Sequence, residues 1–244
     1  MPSSKSARFF IALIVIAGLA VLANALRHAG SENTVRFVSF VLVACLAARL
    51  KVKMPSVSGT MSVNLPFILV AVAEMNTAEA LVVGCLSTLV QCLPQGQKKF
   101  SWTRTIFNFS NIALAVSATR LLYTSVALGS ILKSHPLLLA VAAAGYFAVN
   151  SMPVAIIIGL TENKNPLRAW ATMFQLSYPY YLASASIAGV VLTISTQVGW
   201  QVPLVLLPLM LGVFYSYRRY FATAIAQAEL KRAPQSATVA HAAS

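Results

Sequence analysis

Eight apolar runs, separated by loops that carry most of the basic residues, leave this chain few folds to adopt. They are roughly Phe9–Leu26, Phe37–Leu50, Met61–Met75, Ala78–Leu93, Thr105–Leu128, Pro136–Leu160, Leu176–Ser195 and Val202–Tyr217. About 20 apolar residues cross the hydrocarbon core of a bilayer as a helix, and in single-chain proteins only a helix or a closed barrel satisfies its own backbone there. Some of these runs reach that length and others fall short. Charged residues make up 9% of the 244, against about 25% in an ordinary soluble domain, and 58% are hydrophobic. The expected fold is all-α: a polytopic transmembrane helix bundle of about eight hydrophobic segments, six to eight of them spanning.

The formal net charge of +13 would suit a nucleic-acid partner if the cations formed one patch. They sit instead at the ends of apolar runs, so no nucleic-acid partner is expected; the partner is the lipid bilayer. Placing both tails and the loops after runs two, four and six on one face collects 14 of the 18 Lys and Arg residues there: Lys5, Arg8, Arg49, Lys51, Lys53, Lys98, Lys99, Arg104, Lys164, Arg168, Arg218, Arg219, Lys231 and Arg232. Arg27, Arg36 and Lys133 fall opposite, and Arg120 lies within a span. The positive-inside rule makes the crowded face cytoplasmic. Both termini are then cytosolic, in a multi-pass membrane protein. Lys5 and Arg8 ahead of run one imitate a signal peptide, but the run has about spanning length and no convincing small-x-small cleavage site follows, so it reads as a first span. The resulting layout is a cytoplasmic tail at 1–8, a bundle at 9–217, a juxtamembrane helix at 218–232 and a disordered small-residue tail at 233–244.

The stretch 54–99 is the most informative local element. A Pro/Ser/Gly-rich opening leads into an apolar arm from Met61, a turn at Glu74-Met75-Asn76-Thr77, a second arm to Leu93 and a basic loop, which together predict a helical hairpin. Its first arm reaches only about 20 Å, so it is short, tilted or covered by neighbours. Small residues four apart, at Ala140, Ala144 and Ala148, at Ala44 and Ala48, and at Ala185 and Gly189, predict close packing between helices within the bundle. Prolines 153, 179, 203 and 208 are expected to kink or start helices.

Polar residues at membrane depth are the candidates for function, because burying them is costly. Glu74 closes a helix at the unfavourable end of its dipole and needs a partner. Arg120 lies about 22 Å along a span that starts at the cytoplasm, so an Arg120–Glu74 pair is sterically allowed. Glu79 is explained by Asn76 three residues earlier, as a capping box. In the cytoplasmic half stand Asn64, Gln91, Asn108, Asn111, Asn150, Tyr178, Tyr180 and Tyr181; Asn108 and Asn111 share a helix face. The candidate ligand-binding set is Asn64, Glu74, Asn108, Asn111, Arg120, Asn150, Tyr180 and Tyr181, with interhelical hydrogen bonding as the competing explanation for the asparagines and an interfacial belt for the tyrosines.

No Walker loop, GxGxxG, HExxH or metal-ligand cluster is present, and all five acidic residues are glutamates. Neither a two-carboxylate nor a two-metal enzyme is easily built from that inventory. The expectation is a non-enzyme without cofactor or metal. Cys45, Cys85 and Cys92 fall inside apolar runs and read as packing residues.

Gly59-Thr-Met-Ser-Val-Asn-Leu-Pro-Phe-Ile-Leu69, Val90-Gln-Cys92 with its basic loop, Phe107-Asn108, the Asn150 segment ending Gly159-Leu-Thr-Glu162, and Tyr178-Pro-Tyr-Tyr181 together resemble the multi-helix membrane-associated sensor domains of bacteria. Those domains stand N-terminal to HD-GYP phosphodiesterase or GGDEF diguanylate cyclase modules in cyclic-di-GMP signalling proteins. The resemblance covers most of 35–220. It implies a sensory module for a small ligand or membrane state, with a final helix that signals to a cytoplasmic output partner. Here the chain ends shortly after that helix, and the expectation is a free-standing sensor, a partner of a separate output protein, or a degenerate copy. The rival reading is the substrate-binding subunit of a vitamin-type uptake transporter, against which stand the missing Ala-x-x-x-Ala stripe in run one and the basic final helix. A membrane enzyme acting on lipid-linked substrates is weaker still, since the histidines, His28, His135 and His241, lie in loops and the tail.

Overall fold

The computed structural model of the chain describes residues 5–27, 30, 33–53, 60–94, 100–199, 201, 206–220 and 222–223. The helices are α1 (Lys5–Leu26), α2 (Thr34–Arg49), α3 (Leu65–Glu74), α4 (Thr77–Cys92), α5 (Trp102–Tyr123), α6 (Val126–Leu132), α7 (His135–Glu162) and α8 (Pro166–Val198). Residues 206–220 form a further helix, α9. Within this helical bundle, strands β1 (Lys51–Lys53) and β2 (Thr60–Ser62) pair antiparallel, with Val52 opposite Met61. The hairpin arm expected from Met61 is therefore a strand at its start and a helix only from Leu65, where Pro66 occupies the first turn and needs no donor.

Sequence rules account for most helix ends. Asn76 Oδ1 accepts from Glu79 N at 2.9 Å while Glu79 Oε2 accepts from Asn76 N at 3.3 Å, the expected capping box of α4. Asn33 and Asn165 cap α2 and α8 with their side-chain oxygens, which accept from Arg36 N and from Leu167 N and Arg168 N. Asn76→Ala will lower stability by about 1 kcal/mol, read as a lower unfolding midpoint in detergent titration. The fifth run is one helix in expectation and two in fact: α5 and α6 meet at 55°. Thr124 turns its hydroxyl onto the Arg120 carbonyl at 2.8 Å, and Ser125 accepts from Leu128 N, so both hydroxyls compete with the helical backbone at the break. The seventh run also differs, because α8 starts at Pro166, ahead of Leu176. Pro153 and Pro179 lie inside α7 and α8, and Pro208 lies in α9. Pro203, the loop at 95–99 and all of 224–244 are outside the described residues, so the expected juxtamembrane helix and tail are not described beyond 223.

Among the described residues three helices, α1, α7 and α8, are long and apolar enough to cross a membrane, and four segments if the bent α5–α6 pair is one span. Their lipid-like exterior is explicit: Phe9, Leu13 and Ile16 on α1 and Val35, Val38, Leu42 and Leu46 on α2 are exposed, at helical spacing. The opposite face of α2 buries Phe40, Val43, Ala44, Ala47 and Ala48, so its small pair packs inward as expected. On α7 it does not. The buried face is Leu138, Leu139, Ala142, Ala143, Tyr146 and Phe147, and Ala144 of the small stripe is exposed. Bulky residues at three-four spacing carry more dispersion energy than a methyl stripe, and they take the interface with α5 and α8.

At the centre sits α3. Leu65, Pro66, Phe67, Ile68, Leu69, Val70, Ala71 and Val72 are all buried, against α8, α4, α5 and α2. A helix apolar on every side has no face to give to water and is stable only when enclosed. With ten residues it is about 15 Å long, and its ends lie inside the protein.

Candidate functional site: the two ends of the buried helix

A buried helix end leaves backbone donors or acceptors that other groups must satisfy. At the N-terminus of α3 the cap position is Asn64, which makes no side-chain capping bond. Its amide is engaged elsewhere: Ser62 Oγ donates to Asn64 Oδ1 at 2.7 Å, and Asn64 Nδ2 donates to Ser87 Oγ at 3.0 Å. The orphan donor of Leu65 goes instead to the Tyr180 hydroxyl of α8, at 3.1 Å.

The C-terminal end carries the charge. Arg120 of α5 donates to the Val72 carbonyl, and Arg36 of α2 donates to the Glu74 carbonyl at 3.4 Å and forms an ion pair with its carboxylate. Ser195 Oγ of α8 donates to the other carboxylate oxygen of Glu74. Two guanidinium groups thus face the negative pole of α3, where cations are favoured. Glu74 has the partner it needs, but that partner is Arg36, with Arg120 committed to the Val72 carbonyl. Arg36 sits in the first turn of α2, the unfavourable end for a cation. Each of the two residues is misplaced on its own helix, and the pair corrects both.

The remaining candidates separate. Asn111 Nδ2 on α5 donates to the Asn150 backbone carbonyl at 2.8 Å and to its side-chain oxygen at 3.2 Å, joining α5 to α7. Tyr181 lies beside this pair, its ring packed on Phe147 at 5.0 Å. Asn108 donates weakly to Cys92 Sγ at 3.5 Å. These contacts are interhelical hydrogen bonds, worth about 0.6 kcal/mol each on average in membrane bundles. The eight residues therefore do not line one pocket. An open apolar groove of about 440 Å³ runs between α7 and α8, lined by Pro136, Ala140, Leu182, Ala185 and Gly189 among others, and none of the eight touches it.

A family model for MASE9 matches residues 6–221. The chain belongs to MASE9. This is a family of membrane-associated sensor domains, in agreement with the resemblance noted above at that level. No curated protein and no solved structure matches the chain. The match takes in all of α2 to α8, so the ends of α3 lie within the MASE9 region.

Sequence reasoning missed Arg36 and Ser195 as members of this candidate site. For Arg36 a signal was available, since a cation in the first helical turn requires an anion just as a glutamate in the last turn requires a cation. For Ser195 there was none: a serine near the end of an apolar run says nothing about its partner.

Proposed function

We propose that this MASE9 chain is a non-enzymatic sensor that reads a small ligand or a change of membrane state at the C-terminal end of α3 and relays it through α9 to a cytoplasmic output partner. The observation that carries this reading is the charged end of a helix buried from Leu65 to Val72, held by residues from α2, α5 and α8 at once. An input acts only if it interacts differently with two states of the protein. A group that competes for Arg36, Glu74 or Arg120 meets that condition, because it exchanges contacts that fix three helices relative to α3. The membership in MASE9 supports the sensor reading, and no comparable support exists for uptake.

In this proposal the eight apolar segments thread the bacterial inner membrane with both termini cytoplasmic, and the charged end of α3 faces outward. The output lies in cyclic-di-GMP signalling, as the resemblance implies. Two measurements test it. Cysteine labelling in intact cells should find Lys133 exposed outside, with Arg104 and Arg218 protected until the membrane is opened; labelling of Lys133 and Arg104 on one side would overturn the threading. Cellular cyclic-di-GMP, compared between strains carrying the wild-type chain, Glu74→Gln and no chain, should differ; one level in all three would remove the link to that messenger.

A further inference from the structure

Helix α8 holds α3 at both ends: Tyr180 takes the Leu65 N–H at one, and Ser195 bonds the Glu74 carboxylate at the other. The two contacts lie 15 residues apart on α8, about 22 Å at helical rise, while α3 is about 15 Å long with the Glu74 and Tyr180 side chains covering the difference. The helices therefore run parallel, bonded at their two ends and packed apolar between. Tyr180 does more than cap. Its ring is 2% exposed and stands edge-on to Tyr217 of α9, with centroids 6.1 Å apart at 83°. Pro179 precedes it inside α8 and cannot donate a backbone bond, so the helix is weakened against bending at the same level.

We propose that Tyr180 is the positioning residue that couples α3 to α9: a change at the Glu74 end moves α8 against α3, α8 bends at Pro179, and the Tyr180 ring carries the movement to Tyr217. This rests on the reading of the Glu74 end as the input. The coupling needs no ligand to be present, since any change that alters the grip of α8 on α3 at Glu74 must also alter the geometry at Tyr180. Removing the hydroxyl leaves the ring in place but frees the Leu65 donor, so the cap and the ring contact can be separated by the variants Tyr180→Phe and Tyr217→Leu.

The test is hydrogen exchange on the full chain in lipid nanodiscs, for wild type, Glu74→Gln, Tyr180→Phe, Tyr217→Leu and the double variant Glu74→Gln/Tyr180→Phe. Glu74→Gln is expected to speed exchange of the α9 amides at 214–220 by about tenfold, as loss of one charge-assisted contact would. Tyr180→Phe should do the same and should also open the amides of Leu65 and Phe67. The double variant should exchange in α9 no faster than Tyr180→Phe alone, since both changes act through one element. Tyr217→Leu should open α9 and leave Leu65 protected. If the two effects multiply in the double variant, or if Tyr180→Phe opens Leu65 while α9 stays protected, Tyr180 is a local cap only and the inference fails. If Tyr180→Phe opens α9 and Glu74→Gln does not, the link from α3 to α9 stands, and it is the Glu74 end as input that is wrong.

Discussion

Replacing Glu74 with alanine will destabilise the protein by about 2–3 kcal/mol, and replacing Arg36 and Glu74 together with glutamine will recover much of that loss. Removing one partner of a buried ion pair costs about 3–5 kcal/mol, chiefly because the other charge is left stranded, whereas an exposed pair is worth under about 1 kcal/mol. The side chains of Arg36 and Glu74 keep 25% and 15% of their exposure, which places the pair between those limits and nearer the buried one. The single variant also takes the acceptor from Ser195 and leaves two cations, Arg36 and Arg120, at one helix end. The double glutamine variant strands no charge at either position and keeps side chains that can bond each other. Unfolding in mixed micelles measures both. Equal stability of wild type and Glu74→Ala would show that the pair is solvated and that α3 does not depend on it.

Gly18 is the second position where a small change will have a large effect. A Cβ built there lies 2.3 Å from the carbonyl oxygen and 2.7 Å from the Cα of Ser110, so helices α1 and α5 touch backbone to backbone at this crossing. Backbone cannot swing aside as a flexible side chain can. Gly18→Ala will force the helices apart at a cost of about 1–3 kcal/mol, and Gly18→Leu will undock α1. Because α1 turns most of its surface outward, the damage should stay local: hydrogen exchange should rise in α1 and around Ser110 while α3 keeps its protection. Gly212 provides the control. Nothing lies within 4 Å of a Cβ at that position, so Gly212→Ala will be neutral or slightly stabilising by its helix propensity. A Gly18→Ala protein as stable as wild type would mean that the crossing is looser than its geometry.

Much of the fold was legible because it rests on local properties. Length and polarity of the apolar runs placed α1, α2, α4 and α7 within a few residues, and Asn76 with Glu79 marked the start of α4 by a rule that spans three positions. The length of the apolar arm from Met61 showed that it would be short, tilted or covered by neighbours; its burial among α2, α4, α5 and α8 came from the packing. The β1–β2 pairing was hidden: its strands have three residues each, too few for alternation to register. The break at Thr124 and Ser125 was hidden too, since hydroxyls inside an apolar run are equally compatible with a continuous helix.

By itself the sequence determined that this chain is a membrane-associated helical protein, that the first arm of its 54–99 hairpin is short for a span, and that Glu74 must meet a cation. All of these follow from the energy of a residue in its own helix and solvent. Only the tertiary structure decided which cation it meets, that Tyr180 is a cap on α3, and that the asparagines divide among separate contacts. Leu65 and Tyr180 are 115 residues apart in the chain, and Glu74 and Ser195 are 121 apart. Contacts at that separation depend on how helices pack and turn about their axes, and no periodicity within a single helix encodes the rotation of its neighbour.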